Sequence, residues 1–304
     1  MKRPTTDPRS FWARHRVAVM AASAVLFLPP LAAIFQPSGD TGFCGTWCPR
    51  MFFAWRAGQS AGDFLQGFAR AWLGVALVVA VLGATVFLGR QWCSHVCPIG
   101  GAMELGSKLV PKKLKLDFSG VPSAPVRYGY LGVYLLAPAL GIGSLCCNYC
   151  NFAAVPRLFG AAFSGADLAY FMRTAGLVNL GLVVVLGFLA KGGRAYCNLL
   201  CPVGALDSLA NRVAARFGRR VRIDPARCND CGACAKVCPT WAIAEEGRTA
   251  IDPLACLPCR ECETVCARGA ISYGPGPAGV PVRPALPVLP AAAREAIPDG
   301  RTVA

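Results

Sequence analysis

GRQWCSHVCPIG at residues 89–100 and GRAYCNLLCPVG at residues 193–204 are one motif written twice. Gly89, Arg90 and Cys93 align with Gly193, Arg194 and Cys197, Trp92 with Tyr196, and Cys97, Pro98 and Gly100 with Cys201, Pro202 and Gly204. Cys93 and Cys197 are 104 residues apart. Working outward, Cys44 and Cys48 form a second Cys-x3-Cys step, and Cys146 and Cys150 repeat it 102 residues later, with Trp47 opposite Tyr149. The chain is an internal repeat, each half running apolar stretch, cysteine pair, apolar stretch, cysteine pair.

The apolar stretches set the fold class. Of 304 residues, 55% are apolar and 15% charged, which excludes an ordinary soluble protein of this size and a small secreted disulfide scaffold. Val17–Phe35, Ala71–Gly89, Tyr128–Leu145 and Ala175–Ala190 contain no charged residue and have the length a bilayer core requires. Pro29 and Pro30 should kink or shorten the first; a signal peptide is its rival reading, disfavoured by the long polar lead and the absence of a small-residue cleavage site. Lys and Arg crowd the N-terminal arm (Lys2 to Arg16), the loop after the second stretch (Arg90 to Arg127) and the segment after the fourth, and are sparse elsewhere. The positive-inside rule therefore predicts both termini in the cytoplasm and accounts for the net charge of +15 without nucleic-acid binding.

After the last stretch, Cys228, Cys231, Cys234 and Cys238 with Pro239 spell C-x2-C-x2-C-x3-C-P, and Cys256, Cys259, Cys262 and Cys266 repeat the spacing, with Ala267 in place of the second proline. This is the bacterial two-cluster ferredoxin run: a tight loop supplies three thiolates and a distant cysteine closes the fourth corner of a cubane. The crossover assigns Cys228, Cys231, Cys234 and Cys266 to one 4Fe–4S cluster, and Cys256, Cys259, Cys262 and Cys238 to the other. Zinc or disulfides at this spacing are the weaker reading. Ala242–Ala244 and Thr249–Ile251 are expected as a hairpin and Ile271–Tyr273 as a closing strand.

The expected architecture is an α-helical integral membrane protein: four transmembrane helices as two parallel tandem repeats, followed by a small α+β two-cluster ferredoxin domain. Its parts are a basic arm (1–16), a first membrane repeat (17–110), a cytoplasmic linker (111–127), a second repeat (128–220), the ferredoxin domain (221–274) and a Pro/Ala-rich disordered tail (275–304). Parallel repeats are related by an axis along the membrane normal, which brings like pairs together. Cys93, Cys97, Cys197 and Cys201 would then form a four-thiolate site at the inner face, suited to a third 4Fe–4S cluster or to zinc. Cys44, Cys48, Cys146 and Cys150 would form an outer site, where disulfides or copper compete with a fourth cluster; Cys147 is spare. Arg90 and Arg194 are expected as interfacial anchors, offsetting of thiolate charge being the second reading. His95 has two readings, a structural histidine or a hydrogen-bond donor to a cluster sulfide or a quinone. Met51–Arg70 and Asn151–Arg173 are expected as helices lying on the membrane surface, with a re-entrant pocket as the alternative.

Trp92 to Pro98 and Tyr196 to Leu206, followed by the double ferredoxin run, resemble the membrane ferredoxins of the NapH and MauN type, and are similar to the C-terminal half of NosR and to CcoG. The resemblance spans about residues 10 to 274 and carries onto Cys93, Cys97, Cys197, Cys201 and the eight ferredoxin cysteines, but not onto the outer set. It implies a multi-pass protein of the bacterial inner membrane that relays electrons between the quinone pool or cytoplasmic clusters and a redox partner, such as a periplasmic reductase or its maturation system. It implies an electron carrier rather than a stand-alone enzyme. A thiol-based copper-handling or assembly factor is the competing function, and a transporter is disfavoured because no intramembrane charge marks an ion path.

Overall fold

A computed structural model describes residues 8–29, 31, 58–70, 72–142, 149–216, 218–243 and 250–275. Among them the chain is mostly helical. Helix α1 (Pro8–Phe27) stops just before Pro29, in keeping with the restriction proline places on a helix end. Helix α2 (Ala61–Arg70) precedes α3 (Trp72–Leu88), a π turn at Trp92–Val96, and α4 (Pro98–Leu109). Helix α5 (Ser123–Ala139) begins five residues before the expected apolar start at Tyr128, and carries Pro138 in its last turn. Then come α6 (Asn151–Gly160), α7 (Gly165–Phe171), and α8 (Thr174–Val183), which runs on as a π turn to Phe188. Short α9 (Ala195–Leu199) and α10 (Pro202–Val213) complete the helical body.

The elements recur with the motif. Helices α4 and α10 are both 12 residues long, both begin with the proline after a cysteine N-cap, and start 104 positions apart. Proline at the first helical position suits its fixed φ and missing N–H. The bends recur as well: residues 61–69 meet 72–88 at 78°, and 165–171 meet 174–188 at 86°. These two bent pairs have the length and apolar composition of a broken membrane span, whereas no single helix among the described residues is long and apolar enough to cross a bilayer.

The two series pack crosswise. Helix α3 of the first series lies on α10 of the second, and the π turn at 184–188 lies on α4 of the first. The core between them holds Ile99, Met103, Ala154, Val155, Val183 and Tyr196, with Cys97, Cys197 and Cys201 packed against it. Within segment 151–173, Ala153, Ala154 and Val155 are buried, because small residues let α6 come down onto Ile99 and Met103, while residues 161–173 are mostly exposed.

The C-terminal unit is a two-stranded antiparallel sheet, β1 (Arg220–Ile223) against β2 (Ile271–Gly274), with Ile223 opposite Ile271. Strand β2 is the expected closing strand; its partner β1 was not anticipated from RVRI, whose two arginines obscure the alternation. Of the expected hairpin, Ile243 pairs with Ile251 and residues 244–249 lie outside the described set. Two five-residue helices, α11 (Ala233–Val237) and α12 (Glu261–Val265), follow the cysteine loops. Each is entered through a left-handed residue, Gly232 at φ 72° and Arg260 at φ 64°. Glycine adopts that conformation freely; Arg260 does so while its Nε donates to Glu263 Oε2 at 2.7 Å and its guanidinium lies over Tyr273.

Candidate functional site: two converging cysteine sets

In the ferredoxin unit, Cys228, Cys231, Cys234 and Cys266 line one pocket, closed by Ile223 and Ile271 from the two strands. The crossover cysteine Cys238 stands instead with Cys256, Cys259 and Cys262, all four thiols interacting electrostatically. The two sets share a backbone device: Ala242 N–H donates to Cys238 Sγ and Ala270 N–H to Cys266 Sγ, each at 3.3 Å. Burial pushes the Cys259 thiol up to about 11, with Cys238 adding to it, and burial plus Cys238 and Cys259 push Cys256 higher still. Thiols so raised stay protonated unless a polycation sits among them. A donor set of four soft sulfurs in an apolar cradle is therefore fitted to an iron–sulfur cluster, whose iron supplies that charge.

A second convergence joins the repeats. Cys93 lies in the π turn, Cys97 and Cys201 cap α4 and α10, and Cys197 lies in α9. Cys93 interacts with Cys97 and Cys201, and Cys97 and Cys201 each interact with Cys197, so the structure brings these four together from both halves. Gly204 N–H donates to Cys201 Sγ at 3.2 Å. Among the described residues no three Cys, His, Asp or Glu side chains already stand at the spacing of a single metal ion.

The arginines beside these cysteines are not interfacial anchors. Arg90 and Arg194 are each 1% exposed. Arg194 Nε donates to Glu104 Oε2 at 2.8 Å and its Nη1 to Cys93 O at 2.7 Å; Arg90 Nε donates to Asp207 Oδ2 at 3.0 Å and its Nη2 to Gly204 O at 3.2 Å. Each arginine thus reaches from its own repeat into the other, and each passes a glycine there. A Cβ on Gly100 would strike Arg194 Nη1, and one on Gly204 would lie 2.9 Å from Cys197 O. Arg16, placed by sequence in a solvated arm, is fully buried; its Nη1 and Nη2 donate to Glu104 at 2.7 and 2.5 Å, its Nη1 also to Glu261 Oε1 at 3.1 Å, and its Nε to Ser94 O at 3.1 Å. Burial alone would raise the Glu104 carboxyl, but Arg194 and Arg16 together hold it down at about 2. Glu104 and Asp207 are the site residues that sequence reasoning missed. Their signal was position: solitary acids in an acid-poor chain, seven and six residues after Cys97 and Cys201.

His95 is buried, with Nδ1 2.6 Å from Ser94 Oγ and Nε2 lacking a hydrogen-bond partner. Burial first, then Arg16, pushes its pKa down to about 4, so it is neutral near pH 7.

Of the expected outer set, Cys44, Cys48 and Cys146, with the spare Cys147, lie outside the described residues. Cys150 caps α6. The Tyr196 hydroxyl donates to Tyr149 O at 2.9 Å and accepts from Asn151 N–H at 3.4 Å, gripping the chain on both sides of Cys150. Since Tyr196 adjoins Cys197, Cys150 is one tyrosine side chain from the inner set.

The ferredoxin unit is fastened directly over the inner set. Leu254 O accepts from Arg90 Nη1 at 3.0 Å and Arg127 Nη1 at 2.7 Å, Pro253 O from Asn211 Nδ2 at 2.6 Å, and Thr240 O from Asn198 Nδ2 at 3.2 Å.

Twin cysteine sets of this kind define a 4Fe–4S protein of the ferredoxin type. A family model described as a 4Fe-4S binding domain matches residues 70–117, and one described as a 4Fe-4S dicluster domain matches residues 193–242. The methylamine utilization ferredoxin-type protein MauN of Paracoccus denitrificans is 30% identical over 248 residues, covering 78% of this chain and 79% of its own length. MauN of Methylobacillus flagellatus is 33% identical over 156 residues (51% of this chain, 50% of the relative), and the ferredoxin-type protein NapH of Haemophilus influenzae 31% over 172 (55% and 53%). The chain thus spans about half the length of these last two. No solved structure matches. The chain belongs to the NapH/MauN family of ferredoxin-type proteins.

Proposed function

We propose that this protein is a membrane-bound electron relay in which one-electron steps pass between the two ferredoxin clusters and a third 4Fe–4S cluster held by Cys93, Cys97, Cys197 and Cys201. The relatives' printed names, ferredoxin-type proteins of methylamine utilization among them, support the electron-transfer class. The observation that carries the third cluster is the buried charge around the inner cysteines. Arg16, Arg90, Arg127 and Arg194 outnumber Glu104 and Asp207 among the deeply buried groups, all of them at most 3% exposed; Glu261, the further partner of Arg16 at 3.1 Å, is a third exposed, and Arg127 is met by the neutral oxygens of Leu254 and Asn198. An isolated buried charge costs several kcal/mol, about 3–5 when a partner is removed. Disulfides are neutral and would leave that cost standing, whereas a four-thiolate cubane is doubly negative and offsets it. Zinc with four thiolates has the same charge; the 4Fe-4S family matches over residues 70–117 and 193–242, which contain these four cysteines, favour iron.

The four apolar stretches would cross the inner membrane as two parallel repeats, the bent pairs serving as broken spans, with both termini in the cytoplasm and the ferredoxin unit on that face. The quinone pool and a redox partner, such as a periplasmic reductase or its maturation system, would stand at the two ends of the relay. Cys44, Cys48, Cys146 and Cys150 would hold a fourth centre toward the outer side, or copper.

Iron and acid-labile sulfide measured on the anaerobically purified chain test this. About twelve irons support three clusters and about sixteen support four, on the count of four per cubane. About eight removes the inner cluster, and copper in place of the missing iron turns the reading to metal handling.

A further inference from the structure

Arg90 reaches both cysteine sets, as do Arg16, between Ser94 O and Glu261, and Arg127, between Asn198 O and Leu254 O, but Arg90 also shares a carboxylate with an inner cysteine. On the inner side it shares an acceptor with a cysteine: Asp207 Oδ2 lies 3.0 Å from Arg90 Nε and 3.2 Å from Cys93 Sγ. Its Nη2 donates to Gly204 O, and Gly204 N–H donates to Cys201 Sγ, so a second inner cysteine is one residue away. On the ferredoxin side Nη1 donates to Leu254 O, two residues before Cys256. The guanidinium charge acts on Cys93 and Cys197, and also on Cys256. Asp207, by contrast, approaches only the inner set closely, through Cys93 and through Thr85 and Arg90.

We propose that Arg90 is a shared counter-charge that raises the reduction potential of both the inner four-cysteine centre and the neighbouring ferredoxin centre at Cys238, Cys256, Cys259 and Cys262, while Asp207 biases the inner centre alone. This rests on the inner set holding an iron–sulfur cluster. Reduction adds one negative charge to a cluster, and a fixed cation a few ångströms away stabilises it in a medium of low effective dielectric constant. One fixed cation adds its stabilisation to each centre whichever is reduced first, so both potentials stand higher than they would without it. The step is an electron transfer only: dithionite gives one electron, one iron goes from ferric to ferrous, and the electron passes to the second centre with no bond made or broken and no proton moved. Arg90 positions and tunes; it does not react.

The test is a potentiometric titration of the full chain in detergent, followed by electron paramagnetic resonance, with signals assigned by their loss in Cys197→Ser and Cys259→Ser. Arg90→Gln is expected to lower the equilibrium constant for reduction of both centres on the order of tenfold, about 59 mV for one electron, and Arg90→Lys to restore both. Asp207→Asn is expected to raise the inner centre by a similar factor and leave the ferredoxin centre in place. An Arg90→Gln chain with its full iron that shifts one centre or neither overturns the proposal. Should Arg90→Gln lose iron, Asp207→Asn decides: an inner potential that stays or falls, or a ferredoxin potential that rises with it, overturns the proposal. A wild-type chain with about eight irons overturns the inner cluster itself and the shared counter-charge with it, whereas about twelve or more with potentials unmoved in Arg90→Gln overturns the shared counter-charge alone.

Discussion

Gly100 and Gly204 occupy matching places in the two motifs; Gly100 leaves room for Arg194 of the opposite repeat, and Gly204 for the cysteine loop of its own. A methyl at 204 meets backbone, Cys197 O at 2.9 Å, and Cys201 Cβ at 3.3 Å, neither of which can swing aside. A methyl at 100 meets the end of Arg194, flexible in principle but buried and held by Glu104 and Cys93 O. Gly204→Ala is therefore expected to destabilise the folded chain by about 1–3 kcal/mol, the ordinary cost of overpacking, and Gly100→Ala by at least as much. Thermal unfolding in detergent measures the difference; a Gly204→Ala chain as stable as wild type contradicts the close approach. The repeated glycines and cysteines were legible because spacing alone reveals them. The arginines were visible too, but their burial was not, since an arginine beside an apolar run reads as an interfacial anchor until its carboxylate partner, 90 or 117 residues away in sequence, is known.

At the scale of elements, Glu104 fastens α4 to α1 through Arg16 and to the loop before α9 through Arg194. Removing its charge leaves two buried guanidiniums facing a neutral amide. Glu104→Gln should cost about 3–5 kcal/mol, whereas Lys108→Ala, which removes a half-exposed partner of the same carboxylate at 3.7 Å, should change stability by less than about 1 kcal/mol. Unfolding midpoints for the two variants decide it, and equal effects would place Glu104 in a solvated environment. The expected apolar stretches were found as helical segments where described, but their ends were set by chemistry that hydropathy does not weigh: Pro29 ends α1 early, and α5 begins at Ser123 after Pro122. Alanine and valine with scattered charges in α6 suit a membrane surface as well as a core, and its contact with Ile99, Met103 and Tyr196 adds a buried face that the sequence does not mark.

At the scale of the whole molecule, the ferredoxin unit and the helical body share buried polar bonds that neither can satisfy alone. Arg127, 1% exposed, donates to Leu254 O and to Asn198 O at 2.6 Å; Arg219 N–H donates to Phe87 O at 2.7 Å, and Tyr273 OH to Leu88 O at 2.8 Å. An unsatisfied buried charged group costs more than the 1–3 kcal/mol of a neutral one, so loosening the ferredoxin unit should loosen the body. Extracting iron with a chelator removes the free energy that orders the cysteine loops. Hydrogen exchange should then rise not only across residues 228–266 but also across 192–200 and the first turn of α10, where Asn198 and the inner cysteines lose their cover. The middle of α1, packed on α4 through Met20 and Gly101, should stay protected. Exchange that rises in the ferredoxin unit alone would mean that the two units open independently, and the bonds at Leu254 and Thr240 would then be contacts of proximity rather than the joint through which the cysteine sets are held in register.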